Sequence, residues 1–151
     1  MLNTVNNVDD VSVKSIGKSV EGRDIYRVDI GNPKMAKIVI DCGIHAREWA
    51  SPAFCLYVIN ELMAGDYTAW PEKFHFVIYP VLNPDGYRYT WNGERLWRKN
   101  RADNNGSSCK GVDLNRNYDA EWMHAGSSQN KCSSVYAGTR AFSEPESQAQ
   151  R

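Results

Sequence analysis

The chain opens its readable pattern with period-two alternation. Residues 12–19 (Ser-Val-Lys-Ser-Ile-Gly-Lys-Ser) alternate, and Asp24 to Ile30 alternates again. In the second stretch Ile25, Arg27 and Asp29 face one way and Tyr26, Val28 and Ile30 the other. Such alternation predicts two strands, and Val20-Glu21-Gly22-Arg23 between them predicts a hairpin turn. Gly31-Asn32-Pro33 ends the second strand. Ala36 to Cys42 is apolar except for Lys37 and Asp41, which predicts a central strand buried on both faces. Ser51-Pro52 predicts a helix start, with Ser as cap and Pro at the first helical position. Phe54, Leu56, Val58, Ile59, Leu62 and Met63 then make the helix apolar around most of its girth, as in a helix packed on a sheet. Gly65 is expected to stop it. Phe74–Leu82 reads as a further apolar strand, ended by a turn at Asn83-Pro84-Asp85-Gly86. Strand, helix and strand in this order predict a crossover unit, hence an α/β fold with parallel members in its sheet.

From 87 to 140 the periodicity fades into Gly, Asn, Ser and aromatic residues, and long structured loops are expected. Loops of this length in a compact domain are usually functional. Ser143-Glu144-Pro145-Glu146 has the form of a capping box. The chain stops five residues later, too short for a stable helix, so we expect the sequence to be cut inside an element. Residues 1–10 read as a polar tail and 11–151 as one domain or part of one.

Composition narrows the classes. Lys+Arg and Asp+Glu are both 18 among 151 residues, so neither a nucleic-acid footprint nor a polybasic membrane patch is expected. No apolar run is long enough to span a bilayer. The first ten residues are polar and acidic, not a signal peptide, so either the protein is intracellular or its leader is outside this sequence. The four cysteines, Cys42, Cys55, Cys109 and Cys132, allow three pairings. Cys42 with Cys55 and Cys109 with Cys132 is the economical choice, each worth roughly 3 kcal/mol in the chain-entropy model. Four buried thiols remain the alternative. Paired cysteines imply an oxidising compartment.

The chemistry gathers in residues 37–51. A strand runs into Gly43 and then presents His45, Arg47 and Glu48. Imidazole and carboxylate three positions apart on a strand–turn–helix junction are what a catalytic zinc site draws from one segment. Alone, His-x-x-Glu is a weak signal. Arg95-Leu96-Trp97-Arg98-Lys99 offers a loop arginine of the kind that stabilises an oxyanion. Gly111-Val-Asp-Leu-Asn115-Arg116-Asn117-Tyr118 offers adjacent amide and guanidinium donors suited to a carboxylate. His75, on a strand, reads as a core or edge residue and His124 as a loop residue. Trp91, Trp97, Tyr118 and Trp122 read as loop packing.

Gly43-Ile-His45-Ala-Arg47-Glu48-Trp49, Asn83-Pro-Asp-Gly-Tyr87, Arg95-Leu-Trp-Arg98-Lys99 and Gly111-Val-Asp-Leu-Asn115-Arg116-Asn117 together resemble, in order and spacing, the zinc metallocarboxypeptidases of the pancreatic A/B type. The resemblance runs from about Val11 to Glu146. It implies a three-layer α/β sandwich with a mixed, partly parallel sheet, here incomplete and with an exposed apolar edge. It implies His45 and Glu48 as zinc ligands and Arg98 as the residue that polarises the scissile carbonyl. Asn115 and Arg116 match the clamp on a substrate's C-terminal carboxylate, and Arg47 a secondary carboxylate site. Cys109–Cys132 matches a bridge of the whole group and Cys42–Cys55 one of its B-like members. The third zinc ligand and the general base are expected beyond Arg151. The expected function is a secreted, monomeric, zinc-dependent enzyme that cleaves the last residue from peptides and proteins. The 151-residue chain itself is expected to be inactive. The alternative is a non-catalytic binder of peptide C-termini.

Overall fold

A computed structural model describes residues 11–64 and 66–151. The expected polar tail at 1–10 and the expected helix stop at Gly65 lie outside the described residues. Strands β1 (Val11–Lys18) and β2 (Asp24–Ile30) form the antiparallel hairpin, with Gly22 at φ 83° in its turn. Beyond it, β2 pairs antiparallel with β4 (Phe74–Tyr79), and β4 pairs parallel with β3 (Ala36–Asp41). The sheet order is β1-β2-β4-β3. The α/β class and the mixed sheet are as expected. The place of β3 is not: among the described residues it is an edge strand, and inner strand β4 is the most buried of the four. An apolar strand is buried only if a neighbour covers each side. β3 has one such neighbour, so Val39 remains 55% exposed.

Helix α1 (Ala50–Ala64) joins β3 to β4 and lays Cys55, Ile59 and Leu62 on Val28, Ile30, Phe76 and Ile78. On the opposite face Ile25, Val77, Tyr79 and Leu82 pack with Ile16, Ile44 and Ala149 of α3 (Pro145–Gln150). Helix, sheet and helix are the expected three layers. Ile25, Ile30, Ile78 and Leu82 are fully buried, each stabilising the fold by roughly 2 kcal/mol. The outer side of α1, with Phe54, Leu56 and Tyr57, is exposed, so its all-round apolarity is matched by cover on one face only.

Three local expectations are corrected. The helix begins at Ala50, so Ser51 is not its cap; the Ser51 hydroxyl instead accepts the Gly43 amide at 3.1 Å. Asn83-Pro84-Asp85-Gly86 is the start of a helix, α2 (Pro84–Asn92), rather than an isolated turn. Asn83 Oδ1 accepts the Gly86 N–H at 2.9 Å, and Pro84 sits where its missing donor costs nothing. Buried Asp85 accepts from the Ser19 hydroxyl, the Glu21 amide and Arg23, which ties α2 to the hairpin turn. The capping box does not form. Glu144 is the cap of α3 without a side-chain bond, and Glu146 turns inward to the Val20 amide and Asn100. Buried donors from distant segments outcompete the local one. From Gly93 to Glu144 the chain is loop, except for one 3₁₀ turn at Leu114–Arg116.

Candidate functional site

The site forms beyond the carboxyl ends of parallel strands β3 and β4, where α/β sheets present their ligands. After β3 the Cys42 amide donates to Tyr79 O (2.9 Å), and the Leu82 and Asn83 amides donate to Cys42 O and Gly43 O (2.9 and 3.1 Å). Gly43 takes φ 66°, and a Cβ there would stand 3.2 Å from both Pro52 and Val81. Only glycine suits that bend. The Cys42–Cys55 disulfide ties the bend to α1. Asn83 Nδ2 donates to Ile44 O and Lys99 O (3.2 and 3.0 Å), and the Ala46 amide to Arg98 O (3.1 Å). These bonds draw the Arg98 loop against the His45 loop.

His45, Glu48 and Arg98 are brought together, and Asp113 joins His45 to Arg98. His45 Nε2 lies 3.2 Å from Asp113 Oδ1, and Nδ1 lies 3.1 Å from Glu48 Oε1. Arg98 donates to Asp113 Oδ2 through Nε (3.2 Å) and Nη2 (2.9 Å), with Nη1 3.8 Å from Glu48 Oε1. Burial opposes the charge on Asp113, yet hydrogen bonds from His45 and Arg98, with their attraction, hold its carboxyl below the ordinary value. Asp113 had no assigned role in the motif. The available signal was its type: one acid between apolar Val112 and Leu114 in a polar loop.

Zinc fits this donor set as far as the set goes. Each ring nitrogen of His45 faces a carboxylate oxygen, Nε2 toward Asp113 and Nδ1 toward Glu48. A ring nitrogen and a carboxylate oxygen in such contact hold a proton or a cation between them. Two donors each about 2 Å from one tetrahedral ion stand roughly 3.3 Å apart, near the observed 3.1 Å. A carboxylate behind a ligating histidine is the usual device for fixing its tautomer. No group of three His, Cys, Asp or Glu side chains suited to a metal occurs among the described residues.

Asn115 and Arg116 lie on the 3₁₀ turn that Asp113 caps through the Asn115 amide (3.1 Å), and neither side chain bonds to His45, Glu48 or Arg98 among the described residues. Arg116 Nε donates to Gly126 O (2.9 Å) and Nη1 to Asn115 O (3.0 Å). With Tyr118, Trp122, Met123 and His124 they line an open cleft of about 270 Å³. Buried Asn117 anchors the turn through Ala137 O, Arg140 O and Ser143. Arg47 is exposed beside Glu48, and its carbonyl accepts from Arg95. Arg95 covers Trp49, which stacks on Trp91 at 4.3 Å. His75 is buried against Asp29 and His124 is exposed, as read from the sequence. Both expected disulfides, Cys42–Cys55 and Cys109–Cys132, are formed.

Comparison with known proteins gives a family model described as zinc carboxypeptidase, matching residues 2–151. Carboxypeptidase B of Bos taurus is 45% identical over 150 residues, which is 95% of this chain and 36% of that protein. A structure of bovine thrombin-activatable fibrinolysis inhibitor in complex with tick carboxypeptidase inhibitor superposes with a TM-score of 0.87 at 43% identity, covering 94% of this chain and 48% of that one. Carboxypeptidase A from Helicoverpa armigera gives 0.88 at 38% identity, with 93% and 36% covered. The chain thus spans about a third to a half of the length of the proteins it matches.

Proposed function

The chain belongs to the zinc carboxypeptidase family, and from that premise we propose that its residues serve a metallocarboxypeptidase that hydrolyses the C-terminal peptide bond of peptides and proteins. The observation that carries this reading is the cluster in which buried Asp113 joins His45 to Arg98 and both of these face Glu48. His45 and Glu48 would hold the zinc ion, which when bound supplies Lewis acidity and lowers the pKa of a water. Asp113 holds the His45 proton at Nε2 and keeps Nδ1 free. Arg98, fixed through two of its nitrogens, keeps Nη1 toward Glu48 and places a positive charge where a scissile carbonyl gains negative charge. Asn115 and Arg116 take the free carboxylate of the last residue, and Arg47 a secondary carboxylate position. A clamp at fixed distance from the reacting bond selects chain ends. The unit carrying these roles spans 11–151 and acts as a monomer outside the cytoplasm, a location the two disulfides support.

The 151-residue chain by itself is proposed to bind zinc weakly and to release no C-terminal residues, because a catalytic zinc site normally takes three protein ligands and two are assigned here. Metal analysis and assay of an N-blocked dipeptide test this together. Stoichiometric tight zinc with turnover would overturn the inactivity. A second reading, a non-catalytic binder of C-termini, is favoured by the open cleft at Arg116, whose lining does not include His45, Glu48 or Arg98. Both readings require free-acid peptides to bind better than their amides. Equal binding would remove the clamp.

A further inference from the structure

Away from the His45 cluster, two carboxylates are buried together with no salt bridge to either among the described residues. Glu146 is fully buried and Glu144 nearly so. Their Oε2 atoms accept from the same nitrogen, Asn100 Nδ2, at 3.0 and 2.9 Å. Glu146 Oε1 accepts from the Val20 amide at 3.2 Å and Glu144 Oε1 from the Ser143 hydroxyl at 2.7 Å. Asn100 completes the arrangement on its other side. Its Oδ1 accepts from the Val112 amide at 2.7 Å, and its backbone N–H donates to Val112 O at 3.0 Å. Asn100 follows Arg98 by two residues and Val112 precedes Asp113. Asn100 and Glu146 together therefore connect α3, the hairpin turn and both loops that carry the candidate site.

We propose that Glu146, Glu144 and Asn100 form a proton-operated latch, in which one proton carried by the pair of buried carboxylates fastens α3 and the hairpin turn to the Arg98 and Asp113 loops and its loss loosens them. Two adjacent buried carboxylates resist joint ionisation. The charged groups on every packed element leave them uncompensated. In the hairpin turn Arg23 is taken up by Glu21 and Asp85. In the 99–101 loop the Lys99 ammonium donates to Lys131 O, and Arg101 lies over Tyr89 with Glu21 beside it. From the 128–137 loop Tyr136 brings a neutral phenol, its pKa raised by burial and by the Glu144 charge, and Lys131, which lines one cavity with Glu144, donates its ammonium to Asn105 O, while Asp103 in that cavity adds a further negative charge. Burial foremost, with the Glu144 charge and against hydrogen bonds from Asn100 and Val20, pushes Glu146 up to about 7 from an ordinary 4.5. Between those values the folded chain keeps a proton that the unfolded chain has lost. The latch is fully closed below the unfolded value and is lost as pH rises through about 7.

Urea denaturation of the whole chain with its disulfides intact, from pH 5 to 8.5, tests the latch. The expected fall in the folding equilibrium constant is on the order of a hundredfold. Glu146→Gln mimics the protonated carboxyl, since it is uncharged and its oxygen can still accept from Asn100 and Val20. That variant should keep the swing within roughly threefold and should exceed the parent chain in stability at pH 8.5. Parallel pH profiles for the two proteins would overturn the proposal. A carbon-13 titration of the Glu146 carboxyl in the native chain gives an independent readout. A midpoint near the raised value supports the latch, and one near the ordinary value overturns it.

Discussion

Each disulfide closes a loop that carries part of the candidate site, with Arg98 outside both, and the two loops are built differently. Cys42–Cys55, 13 residues apart, encloses His45, Arg47 and Glu48. Cys109–Cys132, 23 apart, encloses Asp113, Asn115 and Arg116. The first bridge lies in the core between the sheet and α1, with its cysteines 3% and 0% exposed. The second lies at the surface, and its loop includes Glu121 and Met123 at positive φ. His45 is positioned by buried charge, whereas Arg116 is held by two carbonyls of its own loop. Asp113 is the exception that instructs. It belongs to the outer loop by sequence and to the inner cluster by contact. The rigidity of the metal-ligand side is thus imported from the other loop.

The hardest test of this contrast is Asp113→Ala. Removing the carboxylate leaves His45 and Arg98 without their buried partner, and a loss of about 3–5 kcal/mol is expected by urea denaturation. Weaker zinc binding, by roughly 10- to 100-fold, should accompany it in the milder Asp113→Asn. A loss under about 1 kcal/mol in Asp113→Ala would mean that the loops are independent. Paired Cys→Ala replacements come next. Chain entropy assigns about 3 kcal/mol to each bridge, slightly more to the longer loop. Cys42→Ala with Cys55→Ala should nevertheless cost more, because those sulfurs also fill the core. Under a graded thiol reductant, the exposed Cys109–Cys132 should open first, read by mass after alkylation. The smallest stability effect is expected for Arg116→Ala, within about 0.5 kcal/mol, although peptides with a free C-terminal carboxylate should no longer bind. A stability loss above about 2 kcal/mol would make Arg116 a structural residue instead of a clamp.

Reading the sequence reached the His45–Glu48 pair because both residues lie on one short bend, and it reached the cysteine pairs because each closes a short loop. It missed Asp113, whose partners are His45, 68 positions away, and Arg98, 15 away. It placed Ser143 and Glu146 in a capping box, a reading sound in local terms. The Val20 amide, 126 positions distant, and Asn100 claim the Glu146 carboxylate instead. It read Asn83-Pro-Asp-Gly as a turn from its composition, where the same residues start a helix. The Asp85 contacts with the hairpin turn help to hold that helix in place.

By itself, then, the sequence determined what depends on neighbours along the chain: the alternating strands, the α1 helix, the bend after β3 and the order of the motifs. The tertiary structure alone decided which strand is central, which carboxylate orients His45 and where Glu146 turns. The physical reason is that apolar periodicity is written locally. A buried polar group must instead find its partner wherever the fold brings one.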